Sequence, residues 1–220
     1  MSLIQLTGVT KRFGDTIVLD HINLDIPEDD IFGIIGINGS GKTTLLRLLV
    51  GFYTPTTGTI TYNNTPLHEA LPRLKKDIGF TTQENSFYPK LTVEENIRYF
   101  GNLYGLTTTK IDNNLHNILI LVELEPYRHV LAEHLSGGMQ RRLDFACSLI
   151  HDPKILILDE PTEELDPLLR REIIRLIKKI NDLGTTIILT SHLLDDIEHL
   201  CDHVAILHDH RIIKVASVND

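Results

Sequence analysis

The segment 36–43 constrains the fold of this 220-residue chain more than any other, and it reads Gly-Ile-Asn-Gly-Ser-Gly-Lys-Thr. This is the pattern G-x-x-x-x-G-K-[ST], in which successive backbone N–H groups surround phosphate oxygens. An apolar run at 31–35 precedes the segment and a helical run at 44–50 follows it. A strand, a glycine-rich loop and a helix in this order also place the positive end of a helix dipole at the loop. The segment therefore predicts a site for the phosphates of a nucleoside triphosphate.

Two side chains of the loop carry most of the predicted chemistry. Lys42 is expected to contact the β- and γ-phosphates, and the Thr43 hydroxyl is expected to bind Mg²⁺. The other candidates for nucleotide contacts lie beside them in the sequence. They are Asn38, Gly39, Ser40, Gly41 and Thr44.

A second strand ends in two carboxylates. Residues 154–160 read Lys-Ile-Leu-Ile-Leu-Asp-Glu, and sheets of parallel strands bind their ligands beyond the carboxyl ends of the strands. Asp159 is therefore predicted to hold Mg²⁺, directly or through water. Glu160 is predicted to act as the general base that polarises the attacking water.

The order of apolar segments predicts an α/β fold with a mainly parallel sheet, an antiparallel β subdomain and an inserted helical subdomain. Strands are expected at 3–9, 17–26, 31–35, 59–62, 78–82, 155–158, 186–189, 204–207 and 212–215. Thr92 with Glu95 predicts a capped helix start, and Asp166 before Pro167 predicts another, which ends at Gly184. We expect one domain over 1–220, with its core in 1–85 and 152–220 and its helical subdomain in 86–151.

Net charge, cysteine content and the length of apolar runs limit the kinds of partner and compartment expected for this chain. The net charge of −9 disfavours non-specific binding to nucleic acid or anionic lipid. Only two cysteines occur, Cys147 and Cys201, which favours a reducing compartment. No signal-peptide pattern opens the sequence, and no run reaches the roughly 20 apolar residues that a membrane span needs. Any membrane role is thus expected to depend on a partner.

The segment 135–140, Leu-Ser-Gly-Gly-Met-Gln, decides among the many kinds of phosphate-loop ATPase. It resembles the LSGGQ signature of ABC (ATP-binding cassette) ATPases, with Met139 ahead of the glutamine. Gln83 after a strand matches the family's Q-loop, and His192 after another strand matches its switch histidine. Phe13 stands where the family has an aromatic residue stacked on adenine. With the phosphate loop and the carboxylate strand, six motifs occur in the family's order over nearly the whole chain.

The resemblance implies how the site works. Ser136, Gly137 and Gly138 of one subunit would contact ATP bound to the other subunit, so that a dimer, most simply a homodimer, closes around the nucleotide. Gln83 would bind Mg²⁺ and the attacking water, and His192 would contact the γ-phosphate. Lys42, Gln83, Glu160 and His192 are then the catalytic candidates, and Thr43, Gln83 and Asp159 are the candidates for holding Mg²⁺.

The chain departs from the family pattern at Glu163 and Glu164. The family usually has small residues there, because this D-loop packs against its copy across the dimer. Two adjacent acids would add repulsion near the dimer axis unless a cation lies opposite them. This pair is also the one feature that favours a regulatory module that binds ATP with little turnover.

The implied function is ATP hydrolysis that energises transport of an unknown substrate through a separate membrane subunit, on the cytoplasmic face of the membrane. The sequence of residues 91–106 resembles the corresponding segment of stand-alone ATP-binding subunits in exporter-type systems. Ser86, Phe87, Tyr88 and the helix at 92–104 are the expected docking surface, with packing inside the subdomain as the alternative. The main alternative function is a non-transport ABC ATPase that acts on ribosomes or DNA. The histidines at 199, 203, 208 and 210 are expected to be solvated surface.

Overall fold

The computed structural model describes residues 2–218; residues 1, 219 and 220, which the predicted domain range includes, lie outside the described residues. The strands are β1 (Ser2–Phe13), β2 (Thr16–Pro27), β3 (Ile31–Ile35), β4 (Thr57–Tyr62), β5 (Thr65–Pro66), β6 (Ile78–Thr81), β7 (Ile155–Leu158), β8 (Thr186–Ser191), β9 (His203–His208) and β10 (Arg211–Ser217). The helices are α1 (Lys42–Leu49), α2 (Leu67–Asp77), α3 (Val93–Leu103), α4 (Thr108–Leu121), α5 (Gly137–Leu149), α6 (Pro167–Asp182) and α7 (Leu194–Leu200), with 3-10 turns at Glu125–Tyr127 and Ala132–His134.

The strands form two sheets, as the α/β prediction requires. A six-stranded sheet has the order β10-β9-β3-β8-β7-β6, and all its pairs are parallel except β9 with β10. A four-stranded antiparallel sheet has the order β2-β1-β4-β5. All nine predicted strands are present, and only the two-residue β5 was not predicted.

The parallel strands lie between two apolar cores. In β7, Ile155 and Ile157 face the core that the antiparallel sheet and α1 complete. Leu156 and Leu158 face the opposite core, which contains α3 to α7. Both faces of a central parallel strand are covered in this way, which explains why the sequence of β7 is apolar without alternation.

The two predicted helix starts are confirmed. At the start of α3, Glu95 N–H donates to Thr92 Oγ1 (3.2 Å) and Thr92 N–H donates to Glu95 Oε2 (2.8 Å), which is a complete capping box. At the start of α6, Asp166 Oδ1 accepts from the backbone N–H groups of Leu168 and Leu169, at 2.9 and 3.1 Å. Gly184 follows the end of α6 with φ of 93°, a backbone conformation that favours glycine.

Between β6 and β7 the described elements are helical, namely α3, α4 and α5 with the two 3-10 turns. This agrees with the predicted helical insertion, while its limits at 86 and 151 stay a prediction. Helices α2 and α7 were not predicted. A proline at position 72 lies inside α2, and proline is a strong signal against a helix interior.

Asn96 holds the start of the helical insertion together. It is fully buried in α3; its Oδ1 accepts from Tyr88 N–H (2.7 Å), and its Nδ2 lies 3.0 to 3.2 Å from the carbonyl oxygens of Tyr88, Leu91 and Thr92. A single side-chain amide thus adds hydrogen bonds to a segment whose β pairing is an isolated bridge between Thr92 and Leu131.

Asn96→Ala should lower the free energy of unfolding by about 1–3 kcal/mol, because the Tyr88 N–H loses its acceptor and three carbonyl oxygens lose their second donor. Urea unfolding followed by circular dichroism measures this change. Asn113→Ala, on the exposed side of α4, is the control and should change stability by less than about 0.5 kcal/mol. Equal effects of the two substitutions would contradict this role of Asn96.

Candidate functional site

The predicted catalytic segments meet at one edge of the parallel sheet. The phosphate loop follows β3, His192 follows β8, Asp159 follows β7, and Gln83 lies two residues beyond β6. These four strands are consecutive neighbours in the sheet and run parallel. The topology therefore brings four segments, widely separated in sequence, to the place where a parallel sheet binds its ligands.

A cleft of about 310 Å³ opens at this edge. It is lined by Val18, Asn38, Gly39, Gly41, Lys42, Thr43, Thr44, Gln83, Glu160 and Glu163. Most of the residues predicted to bind the nucleotide phosphates therefore share one cavity. Ser40, although part of the loop, is buried and does not line the cleft. Its Oγ has no hydrogen-bond partner among the described residues.

The backbone of the phosphate loop requires glycine at two positions. Gly41 has φ of 108°, and a Cβ there would lie 2.9 Å from the Val18 carbonyl oxygen. A Cβ at Gly36 would lie 2.6 Å from the Leu207 carbonyl oxygen and from Ser40 Oγ. The loop is thus held against the neighbouring strands, and α1 begins within the segment, at Lys42, so that its first N–H groups lie at the cleft.

Glu160 contacts two other predicted catalytic side chains, Lys42 and His192. Lys42 Nζ forms an ion pair with Glu160 Oε1 at 3.0 Å and donates to the Gly36 carbonyl at 2.7 Å. The other carboxylate oxygen, Oε2, lies 3.0 Å from His192 Nδ1. Lys42 and Glu160 are both buried, whereas His192 is exposed at the edge of the cleft. Glu160 thus lies between the lysine of the phosphate loop and the histidine after β8.

Asp159 lies behind the cleft and does not line it. Its Oδ1 accepts from Thr190 Oγ1 at 2.7 Å, and the same hydroxyl oxygen accepts from the backbone N–H of Glu160 at 3.0 Å. Thr190, in β8, therefore fixes both acids at the end of β7. The sequence analysis did not identify this residue, although it lies only two positions before His192.

Gln83 directs its amide nitrogen to the turn that follows the carboxylate strand. Its Nε2 donates to Glu163 Oε2 at 2.6 Å, and both side chains line the cleft. From the sequence, Glu163 was expected to add repulsion across a dimer or to mark a regulatory module with little turnover. The structure instead places it beside the predicted Q-loop glutamine of the same chain.

The donors at the cleft fit Mg²⁺ that arrives with a nucleotide. The Thr43 hydroxyl and the Gln83 side chain line the cleft, and Asp159 lies next to it. Within residues 2–218, no group of three or more His, Cys, Asp or Glu side chains could hold a metal ion by itself. Mg²⁺ is commonly bound by one or two protein side chains together with substrate phosphates and water, so this donor set is sufficient.

The signature residues lie outside this cleft. Ser136 caps α5, where its Oγ accepts from Met139 N–H at 3.4 Å, and both Ser136 and Gly137 are exposed. Gly138 is buried against α6, because a Cβ there would lie 2.8 Å from Leu169 Cδ2. Among the described residues, those that line the cleft include none from 135–140.

Phe13 also lies outside the cleft. It is at the end of β1, is 43% exposed, and packs edge-to-face on Tyr53 with ring centroids 5.1 Å apart. Lys11 Nζ lies 4.9 Å from the centroid of the Phe13 ring. The aromatic face expected for adenine is therefore present, but it is separate from the side chains that surround the phosphate loop.

Comparison with known proteins places the chain in a family. A family model described as "ABC transporter" matches residues 19–163. The chain belongs to the ABC transporter family. As a member it is an ATP-binding subunit with ATPase activity of the kind that is coupled to transport.

Relatives and solved structures agree with this assignment. The chain is 37% identical over 206 residues to the Nod factor export ATP-binding protein I of Cupriavidus metallidurans, covering 94% of this chain and 68% of that protein. It is 32% identical over 218 residues to the linearmycin resistance ATP-binding protein LnrL of Bacillus subtilis, covering 99% and 70%. CbiO1 of Clostridium perfringens, part of the ABC transporter complex cbiONQ, superposes with a TM-score of 0.92 at 28% identity, covering 99% and 89%.

The chain spans about two thirds of the length of its relatives named for Nod factor export and linearmycin resistance. A membrane-spanning helix needs about 20 apolar residues, and none of the helices in residues 2–218 has that combination of length and apolarity.

Arg141 connects the signature helix to both catalytic segments of this ABC ATPase. It is buried in α5, and its guanidinium donates to the carbonyl oxygens of Thr82 (2.9 Å), Glu160 (2.9 Å) and Pro161 (3.1 Å). Thr82 immediately precedes Gln83, and Glu160 has φ of 50°. Burial lowers the pKa of Arg141, while the nearby charges of Asp144, Asp159 and Glu163 act to raise it. A charged donor on α5 therefore holds the backbone on both sides of the cleft.

Arg141→Ala should lower the free energy of unfolding by about 3 kcal/mol or more, because buried carbonyl groups lose a charged donor. Arg175→Ala, which removes an exposed arginine of α6, should change it by less than about 0.5 kcal/mol. Chemical unfolding of both variants measures the difference. A loss in Arg141→Ala as small as that of the control would contradict the proposed contacts.

Glu164 adopts a left-handed backbone conformation, with φ of 61°, and its side chain is exposed. Glu164→Gly should therefore raise the free energy of unfolding by up to about 1 kcal/mol, because glycine adopts this conformation without steric cost.

Glu198→Gly is the matched control for that substitution. Glu198 is exposed in the right-handed helix α7, so the same change should lower stability by roughly 1 kcal/mol. Thermal unfolding of the two variants measures whether each substitution raises or lowers stability. A loss of stability in Glu164→Gly would contradict the strain at this position.

Proposed function

We propose that this chain binds ATP with Mg²⁺ in the cleft and hydrolyses it between two copies of the chain. One observation carries the proposal. In the cleft Lys42 pairs with Glu160, whose carboxylate also contacts His192, whereas the exposed Ser136 and Gly137 lie outside the cleft. A second copy can bring its Ser136 turn to the open side of the cleft, where backbone N–H groups at the start of α5 suit an anionic oxygen.

The side chains of the cleft divide the work of phosphoryl transfer to water. Lys42 exchanges part of its ion pair with Glu160 for the β- and γ-phosphates, which keeps a buried cation neutralised. Glu160 is then available as the base that accepts a proton from the attacking water. His192 contacts the γ-phosphate and holds Glu160 in place. Thr43, Gln83 and Asp159 would hold Mg²⁺, which would supply positive charge beside the phosphates.

The remaining contacts orient the nucleotide. The N–H groups of residues 38–44 surround the phosphates, and Asn38, Gly39, Ser40, Gly41 and Thr44 contribute to this cradle. Phe13 stacks on adenine, with Tyr53 packed edge-to-face behind it and Lys11 close to its ring. The buried Ser40 hydroxyl, which lacks a partner among the described residues, can pair with a phosphate oxygen.

The chain transmits this cycle to a separate membrane subunit at the cytoplasmic face of the membrane. Similarity to ATP-binding proteins named for Nod factor export and for linearmycin resistance supports an export system. Tyr88 and Tyr99 suit a docking surface, since they are exposed and stack edge-to-face at 4.7 Å. Phe87 is buried in the core. It therefore packs inside the subdomain and does not belong to the docking surface.

Glu160→Gln should abolish most ATP hydrolysis and accumulate an ATP-bound dimer, because the site closes on ATP that it cannot hydrolyse. Phosphate release and light scattering in ATP and Mg²⁺ measure the two effects.

Glu160→Gln combined with Ser136→Arg is the control. It should remain monomeric, because the bulky cation blocks the turn that completes the partner's site. The proposal fails if the double variant dimerises with ATP as readily as Glu160→Gln alone. A parent that binds ATP but does not hydrolyse it as a purified chain would also contradict the shared site of two identical copies.

A further inference from the structure

Glu163 has a role that rests on the proposed function of the cleft. Its carboxylate lies between the cleft and a neighbouring groove of about 600 Å³ that contains Glu84, Asn85, Gly137, Gln140 and Glu164. Glu163 is half-buried, and its backbone N–H donates to the Glu160 carbonyl at 3.2 Å, which forms a tight turn after the carboxylate strand. Glu164, its exposed neighbour, lines the groove and not the cleft.

In the hydrogen bond between Gln83 and Glu163, the amide NH₂ group must donate and the carboxylate must accept. A carboxylate only accepts hydrogen bonds, whereas a glutamine side chain has a donating NH₂ group at one end and an accepting oxygen at the other. Glu163 Oε2 lies 2.6 Å from Gln83 Nε2. The nitrogen of Gln83 is therefore committed to Glu163, and its carbonyl oxygen is the end left for a ligand.

The free carbonyl oxygen of the Gln83 side chain is the kind of ligand that a magnesium ion requires. Mg²⁺ takes oxygen ligands and is bound by carbonyl and carboxylate oxygens; an amide nitrogen turned towards it would be repelled. An exposed glutamine next to a cleft would otherwise populate both amide orientations. We propose that Glu163 is a positioning residue that selects the metal-binding orientation of Gln83.

Neighbouring charges allow Glu163 to play this part. Its charge acts on the buried guanidinium of Arg141, whose own hydrogen bonds include the carbonyl oxygen of Thr82, next to Gln83. Arg141 thus provides a cation close to Glu163 and holds the backbone that carries Gln83. The second acid, Glu164, has no such contact with Gln83 and serves as a matched residue of equal charge.

The test measures metal binding directly. Mn²⁺ is titrated into protein saturated with a non-hydrolysable ATP analogue, and free Mn²⁺ is followed by electron paramagnetic resonance. Glu163→Ala should weaken Mn²⁺ binding about three- to tenfold, which corresponds to the loss of one orienting hydrogen bond. Glu164→Ala should leave it within about twofold, because that side chain does not contact Gln83.

A conservative variant separates orientation from charge. Glu163→Gln removes the charge but keeps an oxygen that can accept from Gln83 Nε2, so it should recover part of the affinity lost in Glu163→Ala. Equal losses in Glu163→Gln and Glu163→Ala would overturn the orienting role in favour of simple charge attraction. Unchanged or tighter Mn²⁺ binding in Glu163→Ala would overturn it as well, and would indicate that the acid hinders the site.

Gln83→Ala distinguishes failure of this inference from failure of the proposed function. It should weaken Mn²⁺ at least as much as Glu163→Ala, and the double variant should show no further loss. If Gln83→Ala binds Mn²⁺ as the parent does, the proposed metal-binding role of Gln83 is wrong and Glu163 has nothing to orient. If the parent fails to bind the ATP analogue at all, the proposed nucleotide site itself is wrong.

Discussion

The ion pair between Lys42 and Glu160 is the interaction on which the site depends. Lys42 Nζ and Glu160 Oε1 lie 3.0 Å apart, and both residues are buried. A buried ammonium group requires an anion, because an unpaired charge in a protein interior is strongly unfavourable. The sheet provides this anion by ending β7 beside the phosphate loop. In the proposed mechanism a phosphate takes over as the partner of Lys42, and the released Glu160 carboxylate acts on water.

The arrangement follows from strand order more than from any one loop. Strands β3, β8, β7 and β6 are consecutive in the sheet, so the residues that follow them share one edge. Arg141 and Thr190 then fix the backbone and side chains at that edge through hydrogen bonds to the segment 159–161. Because Arg141 belongs to the helix that begins with the signature turn, a displacement of that helix in a dimer would act on the segment carrying Glu160. Within each chain, Arg141 thus connects the signature turn, which serves the partner's site, to the segment that carries Glu160 in the chain's own site.

Much of this could be predicted from the sequence. The phosphate loop and the apolar strand ending in Asp159 and Glu160 have strong local patterns, and the order of apolar segments indicates the α/β fold class. Contacts between side chains distant in sequence could not be predicted in this way. The pairing of Gln83 with Glu163 joins residues 80 positions apart, and Phe87 proved to be buried because its exposure depends on how the insertion packs. Helix α2 was missed because a proline interrupts its pattern.

The central claim is that each ATP site combines the cleft of one copy with the signature turn of another. The most direct test mixes two inactive variants, Lys42→Ala, which disables the cleft, and Ser136→Arg, which disables the turn. In a mixed dimer, the intact cleft of the Ser136→Arg chain faces the intact turn of the Lys42→Ala chain. The account predicts that neither variant hydrolyses ATP alone and that the mixture recovers part of the parental rate. A mixture as inactive as its separate components, beside an active parent, would contradict the shared site.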